Sequence, residues 1–473
     1  MYEFHQHYVD GAWCDPLGRE RRDVINPATE EPAGSIIFGN GDDVDRAVAA
    51  AKRAFDSYSH SSVDQRIAFL EAIVAAYQSR EDELAEAVTA EMGAPLESIS
   101  RPMQVPAGLG HFAQMLDVAK NFAFDETLGN SRIVREPVGV CALITPWNWP
   151  LNQVVLKVGA ALVAGCCMVL KPSEYTSGTA MLFAECMSEL GLPDGVFNLI
   201  LGDEETGRLL VGHTDVEVIS FTGSTRAGQE ISAAASVGFR PTTLELGGKS
   251  PNLIFADADL ETAAQQGVAH CFRNSGQSCN AASWMLVEAE VYQQVIDLVA
   301  EQANRYGSEH DGDTPLKLGP VINSNQFERI QNLIQAGIEA GARLITGGLG
   351  RPPSAEKGYF IRPTVFADAT GDMTIVQQEI FGPVLCISPF EGEAAAIELA
   401  NSTPYGLAAY IQTGSPERAD RVSRQLDAGM IQVNGTSRVP GAPFGGVKAS
   451  GHGREAGLWG VRSYQVVKSI SGA

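Results

Sequence analysis

Between Val138 and Gly248 the chain alternates short β-branched runs with helical stretches at a regular rhythm, and nothing else in it constrains the fold as strongly. The runs GVCALITP, CCMVLKP, VFNLILG, VEVISFTGS and TTLELGG are each bounded by Gly, Pro or Ser and read as strands. Between them, segments such as LNQVVLKVGAALVAG and TSGTAMLFAECMSELG carry apolar residues at helical spacing and end in glycine. Such alternation implies a mostly parallel sheet covered by helices on both faces. On an open parallel sheet a ligand sits beyond the carboxyl ends of the strands, so chemistry is sought in the residues that follow each strand.

At 473 residues the chain exceeds what one hydrophobic core supports, and the length predicts about three domains, or two large ones with an appendage. Upstream of the alternating region, Asp42 to Gly93 is rich in Ala, Glu and Arg and reads as long amphipathic helices. Downstream of Asp257 a second α/β segment begins. There ADLETAAQQGVAHCF, VYQQVIDLVAEQANRYG and QFERIQNLIQAGIEAGA read as helices, and WMLVE, ARLITGG and GMIQVNG as strands. The boundary between the two falls near Gly247.

Composition removes several classes of function. With 57 acidic against 34 basic side chains, the formal net charge of −23 repels phosphate backbones and anionic membrane surfaces, which excludes nucleic acid as a partner. The longest apolar stretch, Val158 to Leu170, is too short to span a bilayer and reads as core. No basic segment followed by an apolar run marks a secretory signal, so the expectation is a soluble, cytoplasmic protein. Eight scattered cysteines without a CxxC pair fit neither a disulfide framework nor a zinc site and suit a reducing compartment. Cys166 and Cys167 read as core. The HQH at His5 to His7 reads as a frayed terminus, and no metal site is expected.

The strand ends carry the candidate chemistry. TPWNWP places Asn148 between two tryptophans; it is either a turn residue beside core aromatics or a neutral donor able to hold an oxyanion. LKPSE offers Lys171 and Glu174, either a solvated charge pair or a site for ribose hydroxyls. In SFTGSTRAGQEI, Gly223 and Ser224 open a helix whose first N–H groups suit a phosphate, although a plain Ser N-cap explains them equally. LELGGK sets Glu245 at the domain boundary as a candidate general base, or as an ion pair with Lys249.

FRNSGQSCNA then leaves Cys279 in a polar, flexible setting. An ordinary thiol is only a few per cent thiolate at neutral pH, so a nucleophilic cysteine needs a base or a positive field. His270, the one histidine close by in sequence, lies upstream on a helix, which argues against a Cys–His pair. Glu245 is the available base.

Taken together, TPWNWP, KPSE, FTGS, ELGGK, NSGQSC, QEIFGPV and PFGGVK, in this order, resemble the NAD(P)-dependent aldehyde dehydrogenase superfamily over nearly the whole chain. The resemblance implies a Rossmann-like NAD-binding domain of residues 1–120 and 140–246, a second α/β catalytic domain of 247–446, and a small β arm of 121–139 and 460–473 that joins subunits into dimers or tetramers. It implies oxidation of an aldehyde to a carboxylic acid. Cys279 would attack the carbonyl, Asn148 and the Cys279 N–H would hold the oxyanion, and Glu245 would activate the water that hydrolyses the thioester; Lys157 matches a family lysine near the site. NAD, with NADP as a possible substitute, would meet Thr145, Pro146, Trp147, Lys171, Ser173, Glu174, Phe221, Gly223, Ser224, Gly247, Glu379 and Phe381. Glu174 would favour NAD, because a second anion beside a ribose phosphate is unfavourable.

Trp149, Leu156, Phe272, Ser278, Asn280 and Phe444 are the expected walls of the aldehyde pocket, with Leu156 standing where many relatives carry a bulky aromatic. No arginine or lysine is evident next to Cys279 in sequence, which disfavours a dedicated carboxylate-bearing semialdehyde. Three other readings compete: a coenzyme-A-acylating relative, which typically lacks the carboxylate that Glu245 supplies; a cysteine hydrolase or esterase; and a non-catalytic scaffold.

Overall fold

A computed structural model of the chain describes residues 2–307 and 318–472. The five runs read as strands form the parallel centre of an eight-stranded sheet. Val140–Ile144 lies in the middle, with Cys167–Lys171 and then Phe197–Leu199 on one side, and Val218–Thr222 and then Thr242–Glu245 on the other. The chain thus leaves the central strand first in one direction and later in the other, and this reversal opens a crevice at the carboxyl ends of Val140–Ile144 and Val218–Thr222. The apolar stretch Val158–Leu170 is core, as expected. It comprises the buried end of the helix Pro150–Ala164, a turn at Gly165 with φ of 91°, and most of the strand Cys167–Lys171.

Antiparallel strands extend both edges of this sheet. His7–Val9 and Ala12–Cys14 close one side, so the HQH segment is not frayed: His7 is fully buried, and burial pushes its imidazole down to about 4. No cluster able to hold a metal ion occurs among the described residues. At the other edge, Gly451–His452 pairs with Thr242–Glu245. The chain therefore returns to the first sheet after completing the second.

The second sheet has seven strands, parallel apart from one edge pair, in the order Arg343–Thr346, Thr364–Ala367, Val384–Phe390, Trp284–Glu288, Pro251–Ile254, Ala408–Gln412 and Met430–Val433. Four of these escape a sequence reading. Pro251–Ile254, Thr364–Ala367, Val384–Phe390 and Ala408–Gln412 are almost wholly buried and lack polar alternation, and prolines at 251 and 389 disguise two of them. A third sheet joins Gln465–Ser471 to Ser131–Pro137 in unbroken antiparallel register, with Asp125–Leu128 beyond. Its outer strand Gln465–Ser471 leaves Val467 68% exposed. No helix among the described residues is long and apolar enough to cross a membrane.

The loop that carries Cys279 leaves the helix Leu260–Phe272 through three successive left-handed residues, Asn274, Ser275 and Gly276, with φ of 52°, 57° and 74°. Two of them are not glycine, and such conformations persist only where the surroundings impose them. Here Ser275 donates to the Gly319 carbonyl at 2.7 Å, while a Cβ on Gly276 would stand 2.1 Å from the Gly382 carbonyl oxygen. Replacing Gly276 by alanine should accordingly cost roughly 2–4 kcal/mol, from left-handed strain plus overlap with rigid backbone. A fall of several degrees in the thermal midpoint is expected, and an unchanged midpoint would contradict it.

Candidate functional site

The crevice of the first sheet faces the Cys279 loop of the second, and a knot of buried amides joins them. The Asn148 Nδ2 donates to the Gln277 carbonyl at 2.9 Å, while the Asn148 carbonyl accepts from Gln104 at 3.0 Å and from Asn274 at 2.8 Å. Gln277 is fixed in turn: its side chain donates to the Pro320 carbonyl and accepts from the Ile322 N–H. Trp149 Nε1 donates to Ser278 Oγ at 2.9 Å. Asn148 spends one amide hydrogen on Gln277, which leaves the second free for another acceptor. Sequence reading missed Gln104, Asn274 and Gln277, because amides on separated segments carry no local signature.

Cys279 is partly exposed at this junction, and Gly248 is packed against it so closely that a Cβ there would lie 2.4 Å from the Cys279 carbonyl oxygen. Burial, followed by the charges of Glu379 and Glu245, holds its thiol well above the ordinary range, although its own N–H and that of Asn280 oppose this. The resting group is a thiol with two carboxylates nearby.

Glu245, at the end of its strand, is 1% exposed, and neither carboxyl oxygen has a hydrogen-bond partner. Burial, with the charge of Glu455 adding to it, raises its carboxyl well above the usual range; Lys157 and Arg454 pull the other way. A Cβ on Gly445 would stand 2.4 Å from Glu245 Oε1, so PFGGVK passes this carboxylate only as bare backbone. The alternative of an ion pair with Lys249 is not realised: Lys249 Nζ is buried without a partner. Lys157 does not reach the cleft either. It is fully buried, donating to Thr222 Oγ1 at 2.8 Å and Ser220 Oγ at 3.1 Å and ion-paired with Glu455 at 2.5 Å. Its influence on Glu245 is therefore electrostatic, exerted beside Glu455, which sequence reading missed.

Of the residues expected to meet a dinucleotide, Gly247 and Glu379 adjoin Gly248 and through it the Cys279 loop. Trp147 and Phe381 meet edge to face, ring centroids 5.5 Å apart, Phe381 holding a left-handed φ of 59°. Glu379 accepts from the Gly248 N–H at 3.0 Å, and burial pushes its carboxyl up to about 7. Gly247 gives Glu379 its room: a Cβ would lie 2.3 Å from Oε2. The Thr145 hydroxyl is buried with no partner. Ser224 caps the helix Thr225–Ser236, accepting from Ala227 N–H at 3.2 Å, while Gly223 beside Phe221 and Pro146 beside Trp147 complete the two turns. Lys171 is buried with Nζ donating to the Gly202 carbonyl at 2.7 Å, and Ser173 caps the turn that presents Glu174. Unpartnered donors, a helix N-terminus with further free N–H groups beside its Ser224 cap, and a pair of aromatic rings suit a dinucleotide's ribose hydroxyls, phosphates and flat ring.

On the opposite side of Cys279 opens a cleft of about 180 Å³. Trp149, Leu156, Ser278, Asn280 and Phe444 line it. Phe272 does not: it is fully buried in the core of the second sheet, edge to face with Tyr306, because its helical position points it away from the loop. The expectation of no basic residue here is also overturned, since Arg273 and Arg438 both line the cleft. Arg438 arrives from a loop far along the chain, where proximity to Cys279 has no sequence signal. His111 and His270 complete the wall, both pushed down to about 4 by burial and hence neutral at physiological pH.

A protected thiol, a spare amide donor and an unpartnered carboxylate at one junction can form, stabilise and hydrolyse an acyl-sulfur bond. Comparison with known proteins agrees with this chemistry. The aldehyde dehydrogenase family model matches residues 13–470. The chain is 48% identical to a 3-succinoylsemialdehyde-pyridine dehydrogenase of a Pseudomonas species, over 100% of this chain and 99% of that protein. Among solved structures, an aldehyde dehydrogenase from Bartonella henselae superposes with a TM-score of 0.97 at 46% identity, each chain covered completely. A mutant of aldehyde dehydrogenase C from Pseudomonas syringae, complexed with NAD+ and octanal, superposes with a TM-score of 0.96 at 43% identity, covering 99% of this chain and 96% of that one.

Of the eight cysteines, only Cys14 and Cys279 are not fully buried. Since the Cys279 thiol is raised, iodoacetamide labelling of its peptide should be slow at pH 7 and accelerate about tenfold per pH unit up to at least pH 9. A rate already at its plateau at pH 7, read by peptide mass spectrometry, would contradict the assignment of burial and carboxylates as the controlling field.

Proposed function

The chain belongs to the aldehyde dehydrogenase family, and we propose how its own residues carry out that family's reaction, the NAD-dependent oxidation of an aldehyde to a carboxylic acid. One observation carries the proposal: Cys279 lies at the meeting point of the Asn148 loop, the unpartnered Glu245 carboxyl and a cleft of about 180 Å³. Bound NAD supplies the hydride acceptor. The Cys279 thiol loses its proton to Glu245, directly or through water, and the sulfur adds to the aldehyde carbonyl. The resulting oxyanion takes hydrogen bonds from the free Asn148 amide hydrogen and the Cys279 N–H. Departure of hydride from the former aldehyde carbon leaves a thioester on Cys279. Glu245, once it has passed the thiol's proton to solvent, takes a proton from water, which attacks the thioester; the carboxylic acid leaves and Glu245 returns the proton to the departing Cys279 thiolate.

The raised carboxyl of Glu245 serves this cycle because a base titrating above the ordinary range holds a proton more strongly when it takes one. Trp147, Phe381 and Glu379 position the nicotinamide ribose and ring, Thr145, Gly247 and the N-terminus opened by Gly223 and Ser224 hold the pyrophosphate end, and Lys171, Ser173 and Glu174 take the adenosine ribose. The folds around residues 1–120 and 140–246, and 247–446, act as cofactor and catalytic domains. The exposed edge Gln465–Ser471 is an oligomerisation surface for a dimer or tetramer. Eight unpaired cysteines suit the cytoplasm.

Cys279→Ser should lower turnover at least 10³-fold, as loss of a nucleophile does, while NAD binding persists. Glu245→Gln should accumulate a thioester after one turnover, detectable as an acyl adduct on the Cys279 peptide; rapid turnover without an adduct would assign the base elsewhere. Because Glu245 acts only when deprotonated, wild-type kcat should rise with pH through its raised value, and the variant should lose that limb. Glu174→Ala should shift the NAD-to-NADP ratio of kcat/KM about tenfold or more towards NADP. An unmoved ratio would mean that Glu174 does not meet the ribose.

A further inference from the structure

We infer that the substrate is a short aldehyde bearing a carboxylate at its far end, held by Arg438 with Arg273 at the rim. This deepens the dehydrogenase reading above and rests on it. Charge around Cys279 is divided sharply. Glu245 and Glu379 stand on one side, whereas the cleft on the other side is lined by thirteen residues without a single carboxylate. Arg438 is half-buried with its guanidinium 5.3 Å above the Phe444 ring and one nitrogen donating to the Ala442 carbonyl. Neither Arg438 nor Arg273 forms an ion pair among the described residues, although this chain is strongly acidic and most of its surface arginines sit against Asp or Glu.

A guanidinium removed from water without a counter-ion is costly, and burial does lower the affinity of Arg438 for its proton. An incoming carboxylate offsets that cost with paired, charge-assisted hydrogen bonds to the planar fork. The neighbours leave this role open. His111, hydrogen-bonded to Asn152, and His270 stay neutral, and so they neither compete as cations nor neutralise the arginine; Gln153 has a buried, unpartnered oxygen beside them. At about 180 Å³ the cleft is smaller than the roughly 300–1,000 Å³ of a site for a drug-sized ligand, which favours a short chain. Phe444, under the guanidinium, is itself paired through both backbone groups with Glu455, so the anchor stands on the same strap that sits beside Glu245.

The test compares kcat/KM, at saturating NAD, for succinic and glutaric semialdehyde against butanal and pentanal in the wild type, Arg438→Met and Arg438→Lys, with NAD binding as the check of folding. The wild type should prefer the semialdehydes at least tenfold. Arg438→Met should reduce that preference about 10- to 100-fold, chiefly through KM, and Arg438→Lys should retain part of it. Raising the ionic strength from about 0.05 to 0.5 M should weaken the preference as well. A wild-type enzyme that oxidises alkanals and semialdehydes equally, or a preference that survives Arg438→Met, overturns the inference and leaves the dehydrogenase reading intact. Silence with every aldehyde, NAD still binding, fails the dehydrogenase reading itself and the inference with it.

Discussion

The hydrogen bond from the Asn148 amide to the Gln277 carbonyl is the joint on which the site depends. Asn148 follows the central strand of one sheet, and Gln277 precedes Cys279 on a loop packed against the other. Neither loop is regular, so each buries backbone polar groups that need partners. Gln104 and Asn274 supply them, and the left-handed run Asn274–Gly276 is the backbone cost of bringing the groups into register. The oxyanion donor and the thiol are thereby held in one frame, although they come from separate parts of the chain.

Around that joint the electrostatics follow from burial. Burial raises Glu245 and Glu379 separately, and both carboxylates add to the burial that raises the Cys279 thiol, because little water remains to screen them. Lys157 answers Glu455 one layer below, which keeps the cluster from accumulating unopposed negative charge. The same low polarity leaves His111 and His270 neutral and Arg438 unpaired on the far side. The nucleophile thus sits between an acidic side, which includes the base Glu245, and a basic one, in a chain whose overall charge of −23 predicts no such division.

Much of the fold was legible because the parallel sheet writes itself as short apolar runs at a fixed rhythm. Every strand expected between Val138 and Gly248 is present. The second sheet was legible only in part, since Thr364–Ala367 and Val384–Phe390 are buried on both faces and carry no alternation to detect. Cys279, Asn148 and Glu245 could be picked out because their motifs place unusual residues just after strands or turns, whereas Glu379 was named only through the family resemblance of QEIFGPV. Phe272 was misplaced because helical phase, which decides whether it faces the loop or the core, is uncertain at a helix end. His7 was misread because a strand of three residues leaves no periodicity to find.

The sequence by itself determined the alternating architecture, the order of the chemically distinctive loops and the identity of the thiol, amide and carboxylates, because local pattern and residue type are carried along the chain. Only the tertiary structure decided which of these groups meet, how far their proton affinities move, and that Arg438 faces Cys279's cleft while Lys157 does not. Those outcomes depend on burial and on contacts between residues hundreds of positions apart, and a linear pattern holds no record of either.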